Sequence, residues 1–343
     1  MTLNEAVARW LPLIEDALSR AVASPYAATN FHYGMMAYHL GFVDREMRPI
    51  RAHVGKRVRP LLCLLTCEAA GGIATAALPA AVALELLHNF SLVHDDVEDA
   101  SPTRRHRETV WKLWGVPMAV NVGDGMFALA HLALLRLREQ GMPAEAVLDA
   151  MWAFDEMCRQ LTEGQFLDMW FESRKQISEE EYLHMISCKT GALLGLSAEM
   201  GARVAGAAPA SIAAYRRFGL ALGWAFQVQD DILGIWGDEA ITGKSAQSDI
   251  LSRKKSLPIV HALAQEGEAG QALRAIYARS ELTPADVPEV LRWLEAAGSR
   301  AYAEAMVQKA HAQALTALNE AQPREPAASV LRELADQLAM RAY

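Results

Sequence analysis

The chain has 343 residues, 52% of them apolar and 22% charged, enough for one large helical domain or two ordinary ones and too apolar for a disordered chain. The formal net charge is −8, with no long block of Lys and Arg and no Cys/His finger spacing, which argues against nucleic acid as a partner. The first residues carry Glu5 and Glu15 and no compact apolar stretch behind basic residues, so no signal peptide is read there, and no stretch is read as long enough to span a membrane.

Helical periodicity dominates, and alternating Val/Ile/Thr-rich runs are nearly absent. In chain order the pattern predicts helices over 3–23, 27–41, 58–70, 77–99, 117–139, 144–172, 178–204, 209–236, 255–266, 269–280, 284–297, 299–320 and 326–341. Ser178 with Glu181 is a capping-box pattern. Thr283, Pro284 and Asp286 give a cap, a first-turn proline and a first-turn acid. Gly71-Gly72 and the stretch 237–243 read as helix ends and loops. With no repeat of fixed period and no low-complexity linker, residues 1–343 are expected to form one domain, an all-α bundle of long, mostly antiparallel helices. The four cysteines, Cys63, Cys67, Cys158 and Cys188, lack the partners of a tetrahedral metal set and read as reduced core residues, which fits a reducing cytoplasm.

The predicted helix ending near residue 99 closes on Asp95, Asp96, Glu98 and Asp99. Asp95 and Asp99 are one turn apart and share a face, and His88 lies two turns before Asp95 on nearly the same face. Two carboxylates about 4 Å apart repel by roughly 4 kcal/mol at an effective dielectric near 20. The cluster therefore needs a cation or full exposure to solvent, and an oxygen-only ligand set favours Mg²⁺ shared with substrate phosphates. Taken alone, the segment fits a metal–diphosphate site and a solvated acidic helix end equally well. Arg104 and Arg105, which follow, shift the balance, because guanidinium groups bind phosphate in a planar fork.

A second acidic pair, Asp230-Asp231, sits in an otherwise apolar helix one turn after Gln227 and is followed by Gly243-Lys244, Asp249 and Lys254-Lys255. Upstream, Gly55-Lys56-Arg57-Val58-Arg59-Pro60 puts three cations just before a helix, whose N-terminus itself favours anions. By itself that cluster is more often a basic loop, and Lys189-Thr190 is weaker still.

Together these blocks resemble the trans-isoprenyl diphosphate synthases, from about residue 50 to 265 and in the family's order. Gly55 to Pro60 matches GKRxRP, and His88, Asp95-Asp96-x-x-Asp99 and Arg104-Arg105 match the first aspartate region. Gly123-Asp124, Gly164-Gln165 with Asp168, and Lys189-Thr190 match GD, GQxxD and KT. Phe226-Gln227-x-x-Asp230-Asp231, Gly243-Lys244, Asp249 and Lys254 match the second aspartate region.

The resemblance implies the isoprenoid-synthase bundle around a central cavity, usually homodimeric, and a head-to-tail condensation of an allylic diphosphate with isopentenyl diphosphate. It implies three Mg²⁺ ions on Asp95, Asp99 and Asp230, with Asp96 and Asp231 acting from the outer shell. Arg104, Lys189, Lys244 and Lys254 would hold the allylic diphosphate, and Gly55, Lys56, Arg59, His88 and Arg105 the isopentenyl diphosphate. The Lys189 carbonyl, Thr190 hydroxyl and Gln227 amide would stabilise the allylic cation. One departure stands out: Gly234 replaces the last acid of the usual DDxxD, and Asp238 has no clear place.

Product length, on the same resemblance, depends on residues before Asp95. Phe90 would floor the tunnel for the growing tail, Ser91 would leave room above it, and Leu87 would lie a turn deeper. That pattern points to a C20 product, with C15 next. Two other readings remain open, a class I terpene cyclase and an inactive partner subunit. The basic cluster with Arg105 argues against the first, since a cyclase needs no second diphosphate pocket. The intact first motif argues against the second.

Overall fold

A computed structural model describes every residue except 53, 54, 56, 238–246, 280 and 340–343. Among the described residues the chain is all-α, apart from one two-stranded ribbon and an isolated bridge between Val43 and Pro49. The helices are α1 (Leu3–Ala21), α2 (Asn30–His39), α3 (Val58–Ala69), α4 (Leu78–Glu98), α5 (Val110–Trp114), α6 (Val116–Leu135), α7 (Ala144–Ser173) and α8 (Glu179–Ile186). They continue with α9 (Ala192–Val204), α10 (Pro209–Trp236), α11 (Ser248–Leu251), α12 (Leu257–Ala264), α13 (Glu268–Tyr277), α14 (Val287–Ala296), α15 (Ser299–Glu320) and α16 (Ala327–Ala339).

The chain divides into two compact units, each built from three segments. Unit 1 holds Met1–Phe154, Ser197–Ala213 and Ala321–Leu331, and unit 2 holds Asp155–Leu196, Ala214–Glu320 and Arg332–Tyr343. In unit 1, α4 packs against α6, α3 and α1. α3 is buried almost all round, with Leu61 to Leu65 and Cys67 in its core. In unit 2 one apolar cluster gathers Phe171, Tyr182, Val228, Leu257 and Val307, and a second gathers Ile235, Ile259, Leu273, Val290 and Leu294. All four cysteines are free and buried, and burial pushes the Cys67 thiol up to about 12, as expected of inert core thiols.

The expected helices are present with local differences. The Ser178–Glu181 capping box forms as read. The helix expected from 284 starts at Val287, because the Asp286 carboxylate turns back to accept the Thr283 N–H at 2.8 Å. The helix expected over 178–204 is interrupted by a π turn, Ser187–Gly191. Residues 100–116, to which the sequence pattern assigns no element, hold β1 (Thr103–Arg104), β2 (Arg107–Glu108) and α5. The reading of membrane-span length also needs correcting. Ala74–Glu98 and Val116–Gln140 are long and apolar enough to cross a membrane, although 61% of the first one's most apolar window is buried by protein.

Candidate active site

In unit 1 the predicted site residues gather at the end of α4. Asp95 lies in the last turn and Asp99 is the C-cap, while Asp96, between them, is only 1% exposed. The last turn of α4 carries no basic side chain, so the negative end of the helix dipole adds to the carboxylates. This oxygen-only donor set fits a hard divalent cation. Asp96 faces inward and accepts the Arg104 Nε–H at 2.7 Å. Burial raises its pKa, partly offset by Arg104.

Arg104 belongs to the ribbon, in which Thr103 pairs with Glu108 and Arg104 with Arg107. The two-residue turn between the strands is therefore Arg105-His106, and both have positive φ, 52° and 61°. Such a turn normally asks for Asn or Gly. Its anchors hold it in place: Arg107 donates to the Tyr38 and Val43 carbonyls at 2.8 Å each, and the Tyr38 hydroxyl donates to the Glu108 carbonyl at 2.8 Å. Arg105 is thereby turned inward. Burial, with Arg57, Arg104 and Arg59 pressing on it and Glu85 relieving it, pushes its pKa down to about 10. His88 is held well below its usual value by burial and by Arg59, Arg105 and Arg104, so the imidazole is neutral. The sequence-predicted set Arg59, His88 and Arg105 thus comes together in unit 1. Gly55 is exposed, at φ +99°, and Lys56 lies outside the described residues.

Sequence reasoning missed Glu85. It is buried in α4, accepts from Arg57 Nη1 at 2.8 Å and from Asn89 Nδ2 at 2.9 Å, while Arg57 Nη2 donates to the Leu40 carbonyl at 2.8 Å. Arg57 is itself left-handed, φ 48°, at the cap of α3. The signal was available: a lone acid in the apolar run AVALELL.

Of the chain-length candidates, Leu87 is fully buried and Ser91 turns its hydroxyl onto the His88 carbonyl at 2.8 Å. Phe90 is half-buried and stacks into a row of rings: its centroid is 4.9 Å from His94 and 5.1 Å from Phe127. The row continues from Phe127 to His131 at 4.5 Å and to Phe154 at 5.1 Å.

In unit 2, Lys189 and Thr190 sit in the π turn, a distortion that recurs at functional sites. A glycine makes room for it: a Cβ at Gly164 of α7 would lie 2.3 Å from the Lys189 backbone nitrogen. Lys189 Nζ donates to Asp168 at 2.6 Å, and the Thr190 hydroxyl donates to Gln227 Oε1 at 2.8 Å. Gln227 Nε2 in turn donates to Asp231 at 3.2 Å, which fixes its amide.

Asp231 is buried and accepts from the Tyr182 hydroxyl at 2.5 Å and the Leu257 N–H at 2.8 Å, so it ties α10 to α8 and caps α12. Burial, helped by Asp249 and opposed by Lys254 and these hydrogen bonds, pushes its pKa up to about 6. Asp230, its neighbour, is half-buried. Burial alone would lower the Lys254 pKa, but Asp231, Asp249, Asp168 and Asp230 hold it well above its usual value, so it stays charged among four acids. Tyr182 was missed, and nothing in its local sequence marks it.

Gly234 has a spatial reason. A Cβ there would lie 2.3 Å from Asp249 Oδ2. The space an acid at 234 would need is taken by the carboxylate of Asp249. Asp238 and Lys244 lie outside the described residues.

A family model described as polyprenyl synthetase matches residues 43–294. A (2E,6E)-farnesyl diphosphate synthase of Mycobacterium tuberculosis is 43% identical over 275 residues, covering 79% of this chain and 75% of its own length. A geranylgeranyl diphosphate synthase of the same organism is 38% identical over 288 residues, covering 84% of this chain and 81% of its own. Among solved structures, a polyprenyl synthetase from Streptomyces coelicolor A3(2) superposes with a TM-score of 0.89 at 36% identity over 98% of this chain and 99% of that one.

Proposed function

The chain belongs to the polyprenyl synthetase family and is a short-chain trans-prenyltransferase that joins an allylic diphosphate to isopentenyl diphosphate, and on that footing we propose that it makes geranylgeranyl diphosphate (C20). The observation that carries the two-diphosphate reading is the inward-turned Arg105, crowded by Arg57, Arg59 and Arg104 beside neutral His88. These four guanidiniums face two paired carboxylates, Glu85 on Arg57 and Asp96 on Arg104, a surplus of positive charge that suits a polyanion. C15 stands next, favoured by the farnesyl-named relative.

In this reading Asp95 and Asp99 of unit 1, and Asp230 of unit 2, would be the carboxylate ligands of Mg²⁺, three ions in all, whose chemistry would be to neutralise charge on a departing diphosphate. Arg104, Lys189, Lys244 and Lys254 bind the allylic diphosphate, and Gly55, Lys56, Arg59, His88 and Arg105 bind isopentenyl diphosphate. The allylic C–O bond breaks, the isopentenyl double bond attacks the allylic carbon, and the released diphosphate takes the proton. Thr190 and Gln227, locked to each other at 2.8 Å, present fixed dipoles to the allylic cation, together with the Lys189 carbonyl. Asp231 keeps α10, α8 and α12 in register, and it and Asp96 would support metal binding only from the outer shell. Residues 1–343 are read as one domain, supported by a family match that runs through segments of both units.

The proposal extends to a cytoplasmic homodimer. The free, buried thiols support a reducing compartment, and the exposed apolar residues of α6 and of the start of α7 support self-association.

Incubating the purified chain with Mg²⁺, each allylic primer and isopentenyl diphosphate tests the reading. Condensation product should require both substrates, stop with a chelator, and accumulate at C20. Product formed without isopentenyl diphosphate would favour a cyclase, and accumulation at C15 would move the length assignment.

A further inference from the structure

Three polar atoms around one unit 1 pocket are shut off from solvent without a hydrogen-bond partner. The pocket is lined by Tyr38, His39, Asp96, Arg104, Arg105 and Arg107. The unmatched atoms are His39 Nε2, Arg105 Nη1 and Asp96 Oδ2. Buried polar groups are seldom left so, and those that are need an explanation such as a missing ligand or water. Three of the pocket's other donors are engaged: Arg104 Nε on Asp96, and both Arg107 Nη groups on backbone carbonyls.

His39 ends α2, and its position is set from both sides. The following Leu40 carbonyl accepts Arg57, and the preceding Tyr38 carbonyl accepts Arg107. Burial and the guanidiniums of Arg105, Arg104, Arg57 and Arg107 keep the ring neutral, so one ring nitrogen is a donor and the other an acceptor. A donor at Nε2 beside Arg105 Nη1 suits phosphate oxygens.

We propose that His39 is a substrate-binding residue whose Nε2–H donates to the diphosphate of isopentenyl diphosphate alongside Arg105. The inference rests on the assignment of Arg105 and His88 to that substrate. It adds a ligand from a helix outside every motif in the sequence.

Isopentenyl diphosphate alone has no partner to react with, so its binding can be measured by calorimetry. His39→Leu should weaken that binding about tenfold or more, the scale of losing one hydrogen bond to a charged group. The KM for the allylic primer should stay within about twofold, and His39→Gln, which keeps a donor, should recover most of the affinity. On the unsubstituted protein, the imidazole N–H resonance that His39→Gln removes should move downfield when isopentenyl diphosphate saturates the site. Unchanged affinity in His39→Leu, equal losses in both variants, or a resonance that does not respond would overturn the inference. A wild-type chain that binds no isopentenyl diphosphate while still binding the primer would overturn the pocket's assignment itself, and the inference with it.

Discussion

Phe90 stands between His94 and Phe127 in a row of rings, so its substitution acts on more than one side chain. Removing its ring opens space beside Phe127, which still closes the row towards His131 and Phe154. Phe90→Ala is therefore expected to lengthen the product by about one isoprene unit, and Phe90→Ala/Phe127→Ala by more, read by chromatography of dephosphorylated products. An unchanged product from the single variant removes Phe90 as the floor. Gly234 argues the opposite way. Restoring the acid with Gly234→Asp puts a Cβ where Asp249 Oδ2 now sits and adds a like charge. The variant is expected to lose about tenfold or more in kcat, with Gly234→Ala losing less; a gain would mean the site lacks a carboxylate. From sequence alone Gly234 reads as a missing ligand. What spacing does not carry is that Asp249, fifteen positions on, returns to the same spot. The motif residues were legible because each pairs a charge with an unusual setting, whereas His39 and Tyr182 get their meaning only from what the fold brings against them.

Among the elements, α4 shows how a buried pair can set a loop. Glu85 and Arg57 are each almost fully buried, and Arg57 holds a left-handed backbone at the entry to α3. Removing one partner leaves the other charged and unmatched, a cost of about 3–5 kcal/mol. Glu85→Ala is expected to lower stability by that amount in denaturant titration, whereas Glu85→Leu/Arg57→Met, which removes both charges, should recover most of it. Equal losses from the single and double changes would show that the pair contributes packing rather than charge balance. Helix positions were legible because apolar period and capping residues are local, and the Ser178–Glu181 box is a case in point. The π turn at 187–191 was not, since it answers to the close approach of Gly164 on another helix. The ribbon at 103–108 was hidden for a related reason: Arg105-His106 is a poor turn sequence, kept in shape by anchors on Tyr38, Val43 and Asp96.

For the molecule as a whole, the exposed apolar residues of α6 and of the start of α7, all in unit 1, decide what can be expected. Leu132, Leu135, Leu148 and Trp152 are exposed, Leu148 by 65% and Trp152 by 79%. α6 is apolar enough to pass for a membrane span, yet only 39% of its most apolar window is buried within the chain. A lone exposed Leu is ordinary, but four large apolar side chains on two successive helices are more than a monomer usually leaves open. If a second copy covers them, light scattering should give twice the 37.6 kDa of one chain. Leu148→Glu/Trp152→Glu places two charges where two copies would meet and should shift the mass to that of the monomer, without loss of helicity. Neither residue belongs to any of the motifs, so retained turnover by the monomeric variant would separate assembly from chemistry, and lost turnover would make the dimer part of the working enzyme. A variant that stays at twice the mass would place the interface elsewhere.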